Sequence, residues 1–468
     1  MKLSIGLTLL AALVGFGLVA AVGRFLLVPT GETIVAAEFA HARITPNADG
    51  EDDITTFRYE LRRNAEITLQ FTSADGQVFT FRERQPRIAG EYRVPFSGVV
   101  GGFILPGERF INTIERRLMP NGLYTWTLQA VDEEGNLSER SGTLEIAEAD
   151  TALPLITSFS VGPSTFSPNQ DGIADRVNIE VYLEKEATLR VYLLDENGIE
   201  IPIAARRGGR MPGEAGRHVF DYEGGVDLGA DPPPDGTYTV IAEAQDAVGQ
   251  RVTASASLTI EMGGKPRAEI VPQVQGVDVV FVSMPYEERF ASGFDVLGDL
   301  VPPPDDPQSL AFSSITMPLG DMLVFMLTVE NYNNVPIRTT YPPPGTVYQQ
   351  SQSAASLGAF ESSGAWRVGI QCETSTTSFP YRWALGSPET LMPIPDPRDG
   401  TVHYYVPPNS RVVVWGGIRF TDIERRQNPQ RCWAGLIQED VEVSLRNSYV
   451  GAREIELVDP NANNPAGR

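Results

Sequence analysis

Residues 44–77 read ITPNADGEDDITTFRYELRRNAEITLQFTSADGQ, and residues 166–199 read FSPNQDGIADRVNIEVYLEKEATLRVYLLDENGI. The two stretches align without gaps at an offset of 122 residues: Pro46 with Pro168, Asn47 with Asn169, Asp49 with Asp171, Gly50 with Gly172 and Asp53 with Asp175. After the shared Pro-Asn-x-Asp-Gly-x-x-Asp, both copies change to an alternation of apolar and polar residues. Phe57, Tyr59 and Leu61 correspond to Ile179, Val181 and Leu183. Period two is the signature of a strand with one buried face. A second such strand follows at Ile67, Leu69, Phe71 and at Leu189, Val191, Leu193, each leading to a turn pair, Asp75-Gly76 or Asn197-Gly198, whose residues tolerate positive φ. Each copy closes on Pro-x-Gly-x-Tyr (Pro120 to Tyr124, Pro234 to Tyr238) and a further strand ending at Asp132 or Asp246. Turn, strand, turn and Tyr-bearing closing strand describe a β-sandwich built twice.

Composition agrees with many short strands. The chain has 468 residues, too many for one core, with a hydrophobic fraction of 42%, 44 Gly and 36 Pro. Its 37 basic and 60 acidic residues give a net charge of −23, which repels phosphate backbones and argues against nucleic acid as a partner.

The Pro-Asn-x-Asp-Gly-x-x-Asp opening and the Asp235-Gly236-Thr237-Tyr238-Thr239-Val240 ending resemble the immunoglobulin-like domain of the flagellar hook-capping protein and the C-terminal domains of gliding motility and type IX secretion. The resemblance covers 44–147 and 158–261 and implies two tandem Ig-like domains. The fold expected is therefore all-β: an N-terminal hydrophobic helix, the tandem Ig-like β-sandwiches, and a larger C-terminal β-sandwich over 265–460 with a disordered tail at 461–468.

The helix is read from the uncharged run Leu3 to Gly23, preceded by Lys2 and followed, after Arg24, by Phe25 to Val28. About 20 apolar residues reach across a bilayer, so 1–29 is expected to be an uncleaved membrane anchor or a cleaved signal, with the remainder exported to the cell envelope. The C-terminal region is marked off by Gly263-Gly264 and carries strand-like runs at Val277 to Val282, Met322 to Val329, Trp366 to Gln371, Val402 to Val406, Arg411 to Ile418 and Val441 to Leu445. Its Thr-Val-Glu-Asn-Tyr at 328–332 and Tyr341-Pro-Pro-Pro-Gly345 resemble the repeated β-sandwich domains of bacterial surface proteins.

Candidate sites are few. Asn47, Asp49, Asp53 and Asn169, Asp171, Asp175 offer hard oxygen atoms around a Gly turn, a donor set suited to Ca²⁺ although not in EF-hand spacing. Asx turns that cap the backbone are the alternative. Cys372 and Cys432, 60 residues apart and the only cysteines, form either a disulfide, worth about 4 kcal/mol on chain entropy, or two buried thiols. Trp366, Trp383, Trp415 and Trp433 either pack a core or present rings to sugar. His41, His218 and His403 share no motif with a Ser or Cys nucleophile, and no phosphate loop or metalloprotease motif occurs, so the expectation is a protein that is not an enzyme. Two functions compete: a structural spacer presenting the C-terminal domain to other envelope proteins, or a module binding glycan or protein through C-terminal aromatics.

Overall fold

The computed structural model describes residues 13–16, 31–205, 210–211, 213–272, 277–304, 314–396 and 398–460. Most of the anchor segment 1–29 and the tail 461–468 lie outside the described residues, and among those described no helix is long and apolar enough to cross a membrane. Among the described residues the elements are strands and four short 3-10 turns, with a helical stretch at 13–16. The chain divides into two compact units, one comprising 1–160, 179–220 and 239–256, the other 161–178, 221–238 and 257–468.

In the first unit a three-stranded sheet (Ile34–Phe39, Thr55–Leu61, Gly90–Phe96) faces a five-stranded one in the order Arg43–Ile44, Leu137–Ile146, Gly122–Asp132, Ala65–Ser73, Val78–Arg87. Alternation in the sequence becomes alternation in burial: Phe57, Tyr59 and Leu61 point inward, as do Ile67, Leu69 and Phe71. Phe39, Phe57 and Trp126 fill the space between sheets, the Phe57 and Trp126 rings 5.2 Å apart edge to face. The closing Tyr124 ties its hydroxyl to the Pro120 carbonyl at 2.6 Å. Tyr238 repeats this in the second copy with Pro234 at 2.8 Å. The expected turns form at Gly76 (φ 86°) and Gly198 (φ 79°).

The copies are joined in this unit by a sheet. Thr113–Leu118 of the first pairs antiparallel with Arg251–Ile260 of the second, placing Thr113 opposite Thr253 and Arg116 opposite Arg251. Beneath it, Gln250 accepts the Leu118 N–H (3.2 Å) and donates to the carbonyls of Asp150 and Ala152 (3.1 and 2.9 Å). Lys185 reaches both Asp150 (2.6 Å) and the buried Asp246 (2.9 Å), so the connecting segment is fastened at several points.

In the second unit the C-terminal sandwich has one sheet in the order Ala268–Val271, Met322–Asn331, Ser410–Arg419, Val347–Gln349, with Val279–Met284 also on Met322–Asn331. Its other sheet runs Ile315–Pro318, Val450–Val458, Gln430–Gln438, Trp366–Cys372, Ile337–Thr339, Val402–Val406, Met392–Pro395. Two sequence expectations shift here. Val279, Val280 and Phe281 are buried consecutively rather than alternately, because both faces of that strand are covered. The run Val441 to Leu445 yields only the two-residue strand Glu442–Val443, a hairpin return after the left-handed Asp440 (φ 59°), and leaves Leu445 in solvent.

Candidate functional site

The two motif loops share one backbone. Residues Ala48, Gly50 and Asp52 have φ of 63°, 92° and 52°, and their equivalents Gln170, Gly172 and Ala174 have 56°, 84° and 53°. In both, the N–H of the residue after the parallel entry strand donates to the far side of the loop, Thr45 to the Asp52 carbonyl and Ser167 to the Ala174 carbonyl, each at 2.9 Å.

The final Asp of each motif fills the turn. The Asp53 carboxylate accepts the N–H groups of Asn47 (2.9 Å), Ala48 (2.8 Å) and Gly50 (2.8 Å). Asp175 accepts those of Asp171 (3.1 Å) and Gly172 (2.7 Å). Asn47 and Asn169 accept the N–H two residues on, at 2.9 and 3.0 Å. These are Asx turns, and they direct the carboxylate and amide oxygens at backbone N–H donors. No cluster of three or more His, Cys, Asp or Glu side chains suited to a metal occurs among the described residues.

What differs is the surroundings. Asp49 is exposed and bonds only within its loop, to the Glu51 N–H and the Asn47 side chain. Asp171 is buried against the C-terminal sandwich, where the Tyr405 hydroxyl donates to its carboxylate at 2.8 Å. Arg338, directly opposite Tyr405 on the neighbouring strand, donates from Nε to the Asp171 carbonyl at 2.6 Å and from Nη1 to the Ser362 hydroxyl at 3.1 Å. Gln438 donates to the Gln170 carbonyl at 2.8 Å. Side chains from three strands thus clamp one loop.

Glycine makes the close approach possible. A Cβ on Gly172 would stand 2.1 Å from the Ser363 carbonyl oxygen, and one on Gly364 would stand 2.3 Å from the Asp171 carbonyl carbon. At Gly50 the same position meets nothing within 4 Å.

Electrostatics follow the burial. At Asp53 burial acts upward, but the backbone N–H groups outweigh it and the carboxyl is held below its ordinary value. At Asp175 burial, reinforced by the neighbouring Asp171 carboxylate, wins and pushes the group up to about 6. Burial also raises Asp171 against the opposing pull of Tyr405, the Ile173 N–H and the Arg338 charge. The platform itself is anchored by Glu439, buried between Arg367 (3.0 Å) and Arg382, with the Glu439 carbonyl accepting the Gly364 N–H at 2.8 Å.

Cys372 and Cys432 form a disulfide, directly opposite one another on the strands Trp366–Cys372 and Gln430–Gln438. Trp383 is fully buried, its ring edge against Phe325 and Tyr348 and its Nε1 donating to the Thr346 carbonyl at 2.9 Å. Trp366 is also buried. Trp415 is half-buried, donating to the Val301 carbonyl at 2.9 Å, and Trp433 is half-buried against Tyr449, with ring centroids 4.6 Å apart. The four rings form no common exposed row. A cavity of about 400 Å³ lies instead beside the exposed Tyr341 and Tyr404, with Leu391 and His403 in its wall.

Arg338, Tyr405 and Gln438 were not singled out as site residues from the sequence. One signal pointing to them was present: where the first loop has Glu51 and Asp52, the second has Ile173 and Ala174. Ile173 is buried, so the apolar exchange marks a covered loop.

No known protein family matches the chain, and no curated protein matches it. Among solved structures, the native α-2-macroglobulin of E. coli aligns at 10% identity over 92% of this chain with a TM-score of 0.17; the chain spans only 23% of that protein's length. A Ca²⁺-stabilized adhesin with which an Antarctic bacterium binds ice aligns at 10% identity over 92% of this chain and 75% of the adhesin, TM-score 0.23. A segment of two fibronectin type-III domains from chicken tenascin aligns at 12% identity over 48% of this chain and 97% of the segment, TM-score 0.16. With TM-scores this low, none of the three fixes a family.

Proposed function

We propose that this chain is a non-catalytic surface protein, exported and held at the envelope by its N-terminal apolar segment. Its tandem Ig-like repeats, akin to those of hook-capping and gliding-motility proteins, act as a spacer that presents the C-terminal sandwich for adhesion or envelope assembly. The observation that carries this reading is the clamp on the second motif loop. A flexible tether needs no buried contacts, whereas here Arg338, Tyr405 and Gln438 hold Gln170 and Asp171 within the second unit. The inter-repeat sheet in the first unit is a joint of the same kind. Both fit an element whose task is to hold position.

The test is made on intact cells. An epitope placed in the exposed loop at Leu445 should be reachable by antibody from outside, and crosslinking should capture envelope partners through the C-terminal sandwich. Deleting 44–261 should abolish that capture while leaving the protein exported. An inaccessible epitope, or capture unaffected by the deletion, contradicts the spacer role.

A second reading, a module binding glycan or protein, is favoured by the cavity beside Tyr341 and Tyr404. Tyr404→Ala would then remove glycan binding on an array without disturbing the fold.

A further inference from the structure

Several arginines of the first unit have carboxylate partners. Arg43, Arg63, Arg84, Arg117 and Arg140 each lie against an Asp or Glu. In a chain of net charge −23, such partners are abundant. Arg82 and Arg116 are placed differently. Both line one cavity of about 280 Å³, together with Phe81, Pro95, Ser97 and residues 99–101, and no carboxylate is in its wall. Arg82 rests its guanidinium over the Phe81 ring at 4.6 Å, and its Nε is buried without a hydrogen-bond partner. Neither side chain makes an ion pair among the described residues.

Strand register makes the arrangement less comfortable still. Arg116 stands directly opposite Arg251 where the two repeats join, and like charges directly opposite on paired strands destabilise a sheet. Arg251 is turned partly toward Gln245 (2.7 Å), and the carboxylate approaching it, Glu243 at 3.7 Å, is shared with Arg190. Desolvation, then the Arg251 and Arg82 charges, hold the Arg116 group below its ordinary range. Three guanidiniums gathered with one shared carboxylate, around a recess with an orphaned N–H, constitute a positive site lacking its counter-charge.

We propose that Arg82 and Arg116, with Arg251 beside them, form a receptor for one oxyanion group, a phosphate or a carboxylate, either free or carried on an acidic polysaccharide. Guanidinium forks match both groups in geometry, and the cavity lies just below the range of about 300–1,000 Å³ that encloses a whole drug-sized ligand, so it takes a single charged group. The site lies at the joint of the repeats and is independent of the spacer reading. An anion there would also relieve the repulsion between Arg116 and Arg251.

The experiment uses the full chain, titrated calorimetrically at constant ionic strength with inorganic phosphate and with oligogalacturonate. Saturable binding of at least one probe is expected, weakened at least about tenfold by Arg116→Gln and by Arg82→Gln. Arg84→Gln, an exposed arginine paired with Glu66 away from the cavity, should leave it unchanged. Tighter binding of the uronate assigns the group to a polysaccharide, and binding of phosphate alone assigns it to a free oxyanion. In anion-free buffer Arg116→Gln should raise the melting temperature, an effect that loss of a merely structural arginine would not give. Absence of saturable binding by either probe overturns the proposal, as does binding that both cavity variants leave intact. Arg82→Gln carries the test if Arg116→Gln fails to fold.

Discussion

The loops 46–53 and 168–175 have the same motif, three left-handed residues at equivalent positions and several of the same Asx hydrogen bonds, yet they have opposite electrostatics. In the first, solvent surrounds Asp49 and Gly50, and Asp53 is an easily ionised acid. In the second, the C-terminal sandwich covers Asp171, and Asp175 is an acid reluctant to ionise. A local motif therefore determines the turn, while its neighbours decide what the turn is for. In one copy the loop ends a sandwich, and in the other it is the part that a clamp grips.

The largest difference should come from glycine. Gly50→Ala costs about 1–2 kcal/mol from its positive φ alone. Gly172→Ala adds overpacking against the Ser363 backbone and should reach about 3–5 kcal/mol in urea unfolding. Equal costs would mean that the loop is not seated.

A smaller contrast is expected for the central Asp. Asp171→Ala loses the Tyr405 bond and strands a buried hydroxyl, for about 2–3 kcal/mol, whereas Asp49→Ala should cost no more than about 1 kcal/mol. Tyr405→Phe should lessen the penalty at Asp171, because no hydroxyl is then left without an acceptor, and should not change that at Asp49.

The pH responses should have opposite signs. Asp175 has a folded value of about 6, above that of an unfolded aspartate, so its contribution favours the native state at acid pH and declines as pH rises from about 4 to about 6. Asp53 is lowered, so its contribution is present above the ordinary aspartate value and is lost as pH falls below it. Asp175→Asn should flatten the slope between pH 4 and 6, about 1–2 kcal/mol in all given its partial exposure, while Asp53→Asn leaves that window unchanged.

The smallest effect expected is that of calcium. Because the carboxylates of both loops already accept backbone N–H groups, adding millimolar Ca²⁺ or a chelator should move the melting temperature of the chain by no more than about 1 °C, within what a change of about 0.2 kcal/mol produces. A large shift abolished by Asp53→Asn or Asp175→Asn would show that these oxygens hold the metal.

What was legible in the sequence is what short-range chemistry dictates. The alternation at Phe57, Tyr59, Leu61 became a strand with those three inward, and the Gly76 and Gly198 turns formed where Asp-Gly and Asn-Gly stand. Long-range pairing was not legible. The Cys372–Cys432 disulfide was one of the two readings the sequence offered and it forms, but its place, face to face on neighbouring strands, was not legible. The Arg116 to Arg251 pairing joins residues from different repeats, and nothing local announces it. That Trp383 packs a core is one of the two readings the sequence offered, but one residue's identity does not reveal how many strands surround it. Nor does anything near Arg338 in the sequence announce its acceptor, which a loop 167 residues away supplies.

Backbone hydrogen exchange on the full chain tests the clamp most directly, since it compares the two loops in one sample. The N–H groups of Asp171, Gly172 and Ile173 should exchange slowly, through opening of the C-terminal sandwich, while those of Asp49, Gly50 and Glu51 exchange quickly through local opening, and Arg338→Ala should bring the two loops together. Equal exchange in the two loops of the unaltered protein would contradict the account.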